Sequence, residues 1–203
     1  MNNEEIADAL KLTAQLMELH NDNPFKVKSL LAASFRIDKL DRELEQVPFE
    51  ELESIDGIGK SLASKIQELN TIGTTKELQT LLEKTPLGVI EMLGIKGIGP
   101  KKVQLLWKEL ELESVGELLY ACNENRLVEL KGFGEKTQEL VRKAIEFKLA
   151  SNGFYHYAKA EAVALQLMDF IQKKYAPHHL SITGALRRKC ELVEKIEILC
   201  TTP

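Results

Sequence analysis

The sequence lacks any apolar run of the ~18 residues that a membrane-spanning helix needs, and its polar, acidic start, MNNEEIADAL, does not resemble a secretory signal peptide. Its three cysteines, Cys122, Cys190 and Cys200, lie far apart and form no CxxC pair. Neither a disulfide framework nor a zinc knot is therefore indicated. We expect a protein of the reducing cytoplasm that has no membrane partner.

The chain also lacks an excess of basic residues. It contains 27 Lys and Arg against 31 Asp and Glu, which gives a net charge of −4. Electrostatics supplies most of the non-specific affinity for nucleic acid, and the usual signature is a basic domain. If this chain binds nucleic acid, we expect its charge to be segregated by face and its affinity to be modest.

One short pattern occurs three times and organises the chain. An apolar run is followed by Gly-apolar-Gly and by a second run with apolar residues at helical spacing. We name the copies hairpin 1 (52–69), hairpin 2 (92–110) and hairpin 3 (127–145). Because glycine tolerates φ > 0, each pair suits a tight turn between two helices. We predict that Ile58, Ile98 and Phe133 fill the space between the helices of hairpins 1, 2 and 3.

Such a turn can bind an anion. The backbone amides at the start of the second helix stand open to solvent, where a phosphodiester is favoured. A lysine follows each turn, as Lys60, as Lys101 with Lys102, and as Lys136. These stretches resemble the helix-hairpin-helix motif, which binds nucleic-acid backbones without reading sequence. One copy alone is equally well explained as a corner between helices, whereas three copies with lysines favour nucleic acid.

Beyond the hairpins, periodicity predicts a mainly α fold. Helices are expected at 3–20, 25–40, 48–55, 60–69, 74–84, 87–93, 99–109, 114–121, 124–130, 135–150 and 157–174. The segments 178–184 and 193–200 alternate as two strands. Because two strands make a poor independent sheet, either they pair on a small helical body or the chain is part of a longer protein, and we favour the second interpretation.

The order of these features resembles the bacterial branch of the family X (DNA polymerase beta-like) DNA polymerases. DNPFKVKSLLAASFRIDKL at 22–40 and IDGIGKSLASKIQEL at 55–69 resemble the family's eight-kilodalton domain, and ITGALRRKCELVEKIEIL at 182–199 resembles the start of its nucleotidyltransferase palm. The resemblance implies an eight-kilodalton-like domain at 1–84, a fingers-like domain with two hairpins at 85–150, and a truncated palm at 151–203. The implied fold has tandem helix-hairpin-helix domains, a long helix and a short β segment.

The resemblance also implies a DNA-repair role, in which the hairpins hold the backbone at gaps, nicks or 5′-phosphate ends. A monovalent cation, Na⁺ or K⁺, would lie on the turn carbonyls. The predicted DNA-binding residues are Gly57, Gly59, Lys60, Gly97, Gly99, Lys101, Lys102, Gly132, Gly134 and Lys136.

Two other functions stay open. Lys65 lies six residues after Gly59, where the lyase branch of the family carries its Schiff-base lysine, so Lys65 is a candidate for 5′-deoxyribose phosphate or abasic-site lyase chemistry. Ser61 stands where that branch has a supporting lysine, which weakens this hypothesis. Alternatively, the chain is a protein-interaction scaffold that has lost DNA binding, as its acidic net charge suggests.

The palm segment departs from the family pattern. Ala185 follows Gly184 where the family has serine, and the family's Asp-x-Asp reads Lys195-Ile196-Glu197. Two-metal phosphoryl transfer needs paired carboxylates, so we predict no polymerase activity and no palm metal. Mg²⁺ is expected only in an intact family member. The degenerate site comprises Gly184, Arg187, Arg188 and Glu197. The resemblance further implies a C-terminal metal-dependent phosphoesterase domain of the PHP type in the full-length protein.

Overall fold

The computed structural model describes residues 1–150 and 153–201. It contains two compact units, unit 1 (residues 1–146) and unit 2 (residues 147–203). The start of the predicted palm, at residues 151–152, lies outside the described residues, and the division of unit 1 at residue 84 stays a prediction. In the described ranges, no helix has both the length and the apolar character needed to cross a membrane.

Unit 1 is helical, as predicted. Its α-helices are α1 (Asn3–Leu19), α2 (Pro24–Ile37), α3 (Phe49–Leu52), α4 (Lys60–Ile72), α5 (Lys76–Glu83), α6 (Leu87–Leu93), α7 (Pro100–Glu109), α8 (Val115–Asn123) and the part of α9 (Glu135–Ala150) up to residue 146. Leu44–Gln46 and Arg126–Glu129 form 3₁₀ turns. The predicted helix at 124–130 is thus only a 3₁₀ turn, because Asn125 adopts a left-handed conformation with φ 58° that interrupts an α-helix.

Local sequence explains where several of these helices begin. Asn2 and Ser114 form capping boxes at the starts of α1 and α8, each with the glutamate three residues later. The side chains of Asn23 and Thr75 cap α2 and α5. At the other end of α4, Gly73 takes φ 79°, the left-handed conformation that commonly ends a helix.

One hydrophobic core runs through unit 1. Helix α1 packs against α2, α5 and α7, with residues such as Ile6, Leu10 and Met17 fully buried at the predicted helical spacing. The buried Ser34 hydroxyl donates a 2.7 Å hydrogen bond to the Ala7 carbonyl, which joins α2 to α1. All three hairpins contribute to this core, so it holds them as fixed parts of one helical body.

Unit 2 combines two helices, α10 (Tyr157–Tyr175) and α11 (Gly184–Arg187), with two antiparallel two-stranded sheets. Strand β1 (Tyr155–His156) pairs with β3 (Leu192–Val193), and β2 (Leu180–Thr183) pairs with β4 (Glu197–Cys200). The strand predicted over 193–200 is therefore two strands, because the chain leaves one sheet after the buried Val193 and enters the other at Glu197. The core of this unit is small and contains Ala160, Ala164, Leu186 and Val193.

Candidate nucleic-acid interface

The three hairpin turns share one backbone hydrogen-bond pattern. In hairpin 2, the Ile95 amide donates to the Met92 carbonyl (3.0 Å), and the Ile98 amide donates to the Ile95 carbonyl (3.4 Å). Both bonds recur at the equivalent residues of hairpin 1, with lengths of 3.2 and 3.0 Å, and of hairpin 3, with lengths of 3.0 Å each. The repeat seen in the sequence is therefore a repeat of backbone structure.

The residue between the two glycines lies in the core, as predicted. Ile58, Ile98 and Phe133 are each only 5% exposed. The first glycine of each pair has positive φ, 83°, 101° and 93° in hairpins 1, 2 and 3. Left-handed backbone of this kind favours glycine over any residue with a Cβ.

The second glycine of the pair has a different role. Gly59 and Gly99 are extended, with φ −86° and −102°, and begin α4 and α7 without a side chain to cap them. At Gly59, Gly99 and Gly134, no heavy atom lies within 4 Å of where a Cβ would be. A side chain would therefore fit at these positions without a clash. Glycine instead leaves the space in front of the helix N-terminus open.

These uncapped starts contrast with the four helices of the same unit that asparagine, threonine or serine caps. A side-chain cap occupies amides that would otherwise be orphaned at the helix start. At α4 and α7 no side chain accepts from these amides. The Leu62 and Lys102 amides already donate 2.9 Å hydrogen bonds to the Gly59 and Gly99 carbonyls, and Pro100 has no N–H. The amides left available to an external anion are those of Lys60 and Ser61 in α4 and of Lys101 in α7.

Four lysines lie beside the turns. Lys60, Lys101 and Lys136 are exposed and Lys102 is partly buried, with its Nζ 5.3 Å from the centre of the Phe133 ring. Across the described residues, none of these four lysines forms an ion pair.

Charge is segregated in unit 1. Residues 1–146 contain 26 Asp or Glu and 19 Lys or Arg, yet the turn of hairpin 2, KGIGPKK at 96–102, has three lysines and no acid. The corresponding segment of hairpin 3, KGFGEKT at 131–137, has a net charge of +1. The acidic overall charge is therefore compatible with a locally basic surface at hairpin 2.

A cavity of about 330 Å³ lies between α2 and the turn of hairpin 1. It contains the candidate lyase residue, Lys65. Its lining residues include Lys26, Ser29, Gly57, Gly59, Lys60, Ser61 and Lys65. The sequence alone did not point to Lys26 or Ser29 as site residues, because only the fold brings α2 to hairpin 1. The one indication in the sequence was that the α2 segment has basic residues and no acidic one, PFKVKSLLAASFRI.

Two lysines of this cavity share one carboxylate. Lys65 Nζ lies 2.5 Å from Glu77 Oε2, and Lys26 Nζ contacts Glu77 Oε1. Burial acts to raise the pKa of Glu77, but the hydrogen bonds from Lys26 and Lys65 outweigh it and lower that pKa below 4.5. Glu77 is therefore ionised at neutral pH and neutralises part of the positive charge of the cavity.

In the palm segment, Gly184 has φ 64°, and a Cβ there would collide with the Glu197 carboxylate. Lys195 Nζ lies 3.2 Å from Glu197 Oε1. Arg187 and Arg188 are exposed. Among residues 1–150 and 153–201, no cluster of three or more His, Cys, Asp or Glu side chains is arranged to hold a metal ion.

Comparison with known proteins finds helix-hairpin-helix domains in this chain. The family model described as "Helix-hairpin-helix domain" matches residues 1–75, and that described as "SAM-like Helix-hairpin-helix tandem" matches residues 89–155. The chain contains tandem helix-hairpin-helix domains. It is also 29% identical over 202 residues, 100% of its length, to the DNA polymerase/3′-5′ exonuclease PolX of Bacillus subtilis (strain 168). The match covers 35% of that relative, so the chain spans about a third of the relative's length.

The resemblance to the N-terminal part of a family X DNA polymerase is thereby confirmed. The mainly α fold class with tandem helix-hairpin-helix domains is confirmed as well. The roles of the individual site residues stay predictions.

Proposed function

We propose that the chain binds the phosphodiester backbone of DNA at gaps, nicks and 5′-phosphate ends, without reading base sequence. The observation that carries this proposal is the repeated turn, which begins α4 and α7 without a side-chain cap and has beside it lysines that form no ion pair within the described residues. Amides at a helix start and lysine side chains contact phosphates, which position a protein on DNA but carry no base information. The name of the relative, a DNA polymerase and exonuclease, is in keeping with such a partner.

Fluorescence anisotropy with a gapped duplex carrying a 5′-phosphate tests the proposal. We expect binding that weakens steeply with salt, prefers the gap over intact duplex and single strand, and is insensitive to base sequence. Replacing Lys101 and Lys102 with alanine should reduce the slope of log K against log salt by about 2, one for each phosphate contact.

A matched control removes the same charge elsewhere in unit 1. The exposed Lys11 and Lys76 lie outside the three hairpins, so the Lys11→Ala, Lys76→Ala double variant should retain the wild-type slope. Flat titrations of the wild-type chain at low salt would contradict DNA binding and favour the scaffold function.

Lyase chemistry through Lys65 is a second candidate, because Lys65 lines a cavity beside the hairpin 1 turn. Against it, Lys65 Nζ lies 2.5 Å from Glu77 Oε2, so a carboxylate already occupies the amine that would attack the sugar aldehyde. Borohydride trapping on DNA with a 5′-deoxyribose phosphate decides this point. A covalent adduct that disappears in Lys65→Ala would establish the lyase, and no adduct from the wild-type chain would exclude it.

The palm segment supports a further part of the proposal, a degenerate polymerase centre. The residues present do not fit a pair of magnesium ions, because the ammonium of Lys195 stands at one carboxylate position and pairs with Glu197, the carboxylate at the other. Calorimetric titration with Mg²⁺ should give no saturable binding. Binding that Glu197→Gln abolished would contradict this part.

We also propose that a monovalent cation binds the turn carbonyls, that the full-length protein has a C-terminal phosphoesterase domain of the PHP type, and that the protein is cytoplasmic. For the cation, the Ile95 carbonyl accepts one hydrogen bond, from Ile98, and keeps a second lone pair for a ligand. Exchanging K⁺ for a large organic cation at constant ionic strength should weaken DNA binding if the cation site exists, and leave it unchanged otherwise.

A further inference from the structure

Hairpin 1 lacks the basic residues that the other two turns share. Position by position, Asp56 stands where hairpins 2 and 3 have Lys96 and Lys131, and Ser61 stands where they have Lys101 and Lys136. The segment DGIGKSL at 56–62 consequently has a net charge of zero, because Asp56 offsets Lys60. Its backbone hydrogen bonds nevertheless match those of hairpins 2 and 3.

An arginine from another helix lies across this turn. A Cβ added at Gly57 would be 3.1 Å from Arg36 Cδ and from Arg36 Cζ, and closer still to Arg36 Nη1. At the first glycines of hairpins 2 and 3, Gly97 and Gly132, nothing lies within 4 Å of the same point. The guanidinium of Arg36 therefore packs directly against the turn of hairpin 1, and this contact is absent from the equivalent surfaces of the other two turns.

The Arg36 side chain has no partner that would explain its position. It is exposed in the last turn of α2 and, in the described part of the chain, makes no ion pair or side-chain hydrogen bond, not even with Asp56. A cation near a helix C-terminus interacts favourably with the helix dipole, but that effect does not require contact with Gly57.

We propose that Arg36 supplies hairpin 1 with a second phosphate-binding cation beside Lys60, in place of the lysines that hairpins 2 and 3 have at the positions of Asp56 and Ser61. The inference rests on the proposed function. A guanidinium presents several N–H donors in one plane and binds phosphate oxygens in pairs, so one arginine suits the place of a missing lysine. With Arg36 included, the hairpin 1 surface has a net charge of +1, the value of the hairpin 3 turn. Gly57 then has two roles, a left-handed backbone and room for Arg36.

The test uses the gapped duplex with a 5′-phosphate and three variants of Arg36 and its turn. Arg36→Ala should weaken binding roughly tenfold at 0.1 M salt and reduce the salt slope by about 1, as expected for one lost phosphate contact. Arg36→Lys should retain most of the slope. Adding Asp56→Lys to Arg36→Ala should restore the slope, because it places a lysine where hairpins 2 and 3 have one.

Controls separate this inference from the proposed function. Arg42→Ala removes an exposed arginine that already pairs with Glu51, and it should leave the slope unchanged. If the Lys101→Ala, Lys102→Ala variant loses affinity while Arg36→Ala does not, the inference is overturned and the proposed function stands. If neither variant loses affinity, the proposed function itself fails. A loss in Arg36→Ala that Asp56→Lys does not restore, at unchanged thermal stability, would place the effect outside the turn and overturn the inference.

Discussion

Hairpins 1 and 2 have the same turn, but acidic side chains pair with the lysines beside only one of them. Lys96, Lys101 and Lys102 of hairpin 2 have no acidic partner within the described residues. Beside hairpin 1, Lys26 and Lys65 both contact Glu77, and the turn itself includes Asp56. Backbone geometry sets where a phosphate can bind, whereas the free charge around it sets how strongly.

The two hairpins should therefore contribute differently to DNA affinity. We expect hairpin 2 to supply most of the salt-dependent affinity and hairpin 1 to contribute less, through Lys60 and Arg36.

The largest effect should come from the buried residue of either turn, since the architecture is common to both. Ile58→Ala and Ile98→Ala should each lower the free energy of unfolding by about 2–4 kcal/mol, because each empties a site that is only 5% exposed. Urea denaturation measures the loss. Ile72→Ala is the control, since Ile72 is 63% exposed, and should cost less than about 0.5 kcal/mol. Very different losses at Ile58 and Ile98 would show that the turns are not equivalent.

The second prediction separates DNA binding from stability at the helix start. Gly99→Ser fits the extended backbone and provides a cap for α7, so the free energy of unfolding should stay unchanged or rise by a few tenths of a kcal/mol. DNA affinity should nevertheless fall about tenfold, because the hydroxyl competes with phosphate for the Lys101 amide. A hydrogen bond from such an amide to a charged group contributes about 1.5–3 kcal/mol.

Gly59→Ser is the matched change in hairpin 1. It should stabilise α4 to a similar degree and reduce DNA affinity less than Gly99→Ser, by roughly two- to fourfold if hairpin 1 contributes less to binding. Anisotropy and urea denaturation of the same two variants give both quantities. Equal losses of affinity would contradict the ranking of the hairpins, and unchanged affinity in both would argue against amide contacts.

Local features of the fold followed from the sequence, and contacts between distant segments did not. The glycine pairs and the burial of Ile58, Ile98 and Phe133 between them were predictable, because turn conformation and helical spacing are properties of neighbouring residues. The contact of Arg36 with Gly57 joins residues 21 positions apart, and no periodicity reveals it. The pairing of β1 with β3 was missed for a similar reason, since a two-residue strand is too short to show alternation.

The smallest effect should come from Glu77, which distinguishes hairpin 1 from hairpin 2. Glu77→Gln should lower the free energy of unfolding by roughly 1 kcal/mol at pH 7, because Lys26 and Lys65 lose an ionised partner. The pKa of Glu77 is lower in the folded chain than its ordinary value of 4.5. Its contribution is therefore fully present above pH 4.5 and is lost as the pH falls through the folded-state pKa. Wild-type and variant stabilities should converge below pH 4.5.

The same substitution should strengthen DNA binding. Without the carboxylate, the charges of Lys26 and Lys65 become available to a phosphate in the cavity, and affinity for the gapped 5′-phosphate duplex should rise about threefold at low salt, with a steeper salt slope. Glu83→Gln is the control, since it removes an exposed carboxylate from the same helix, α5, away from these lysines. If both substitutions raise affinity equally, the effect is one of net charge alone. A rise confined to Glu77→Gln would show that this carboxylate is what keeps hairpin 1 weaker than hairpin 2.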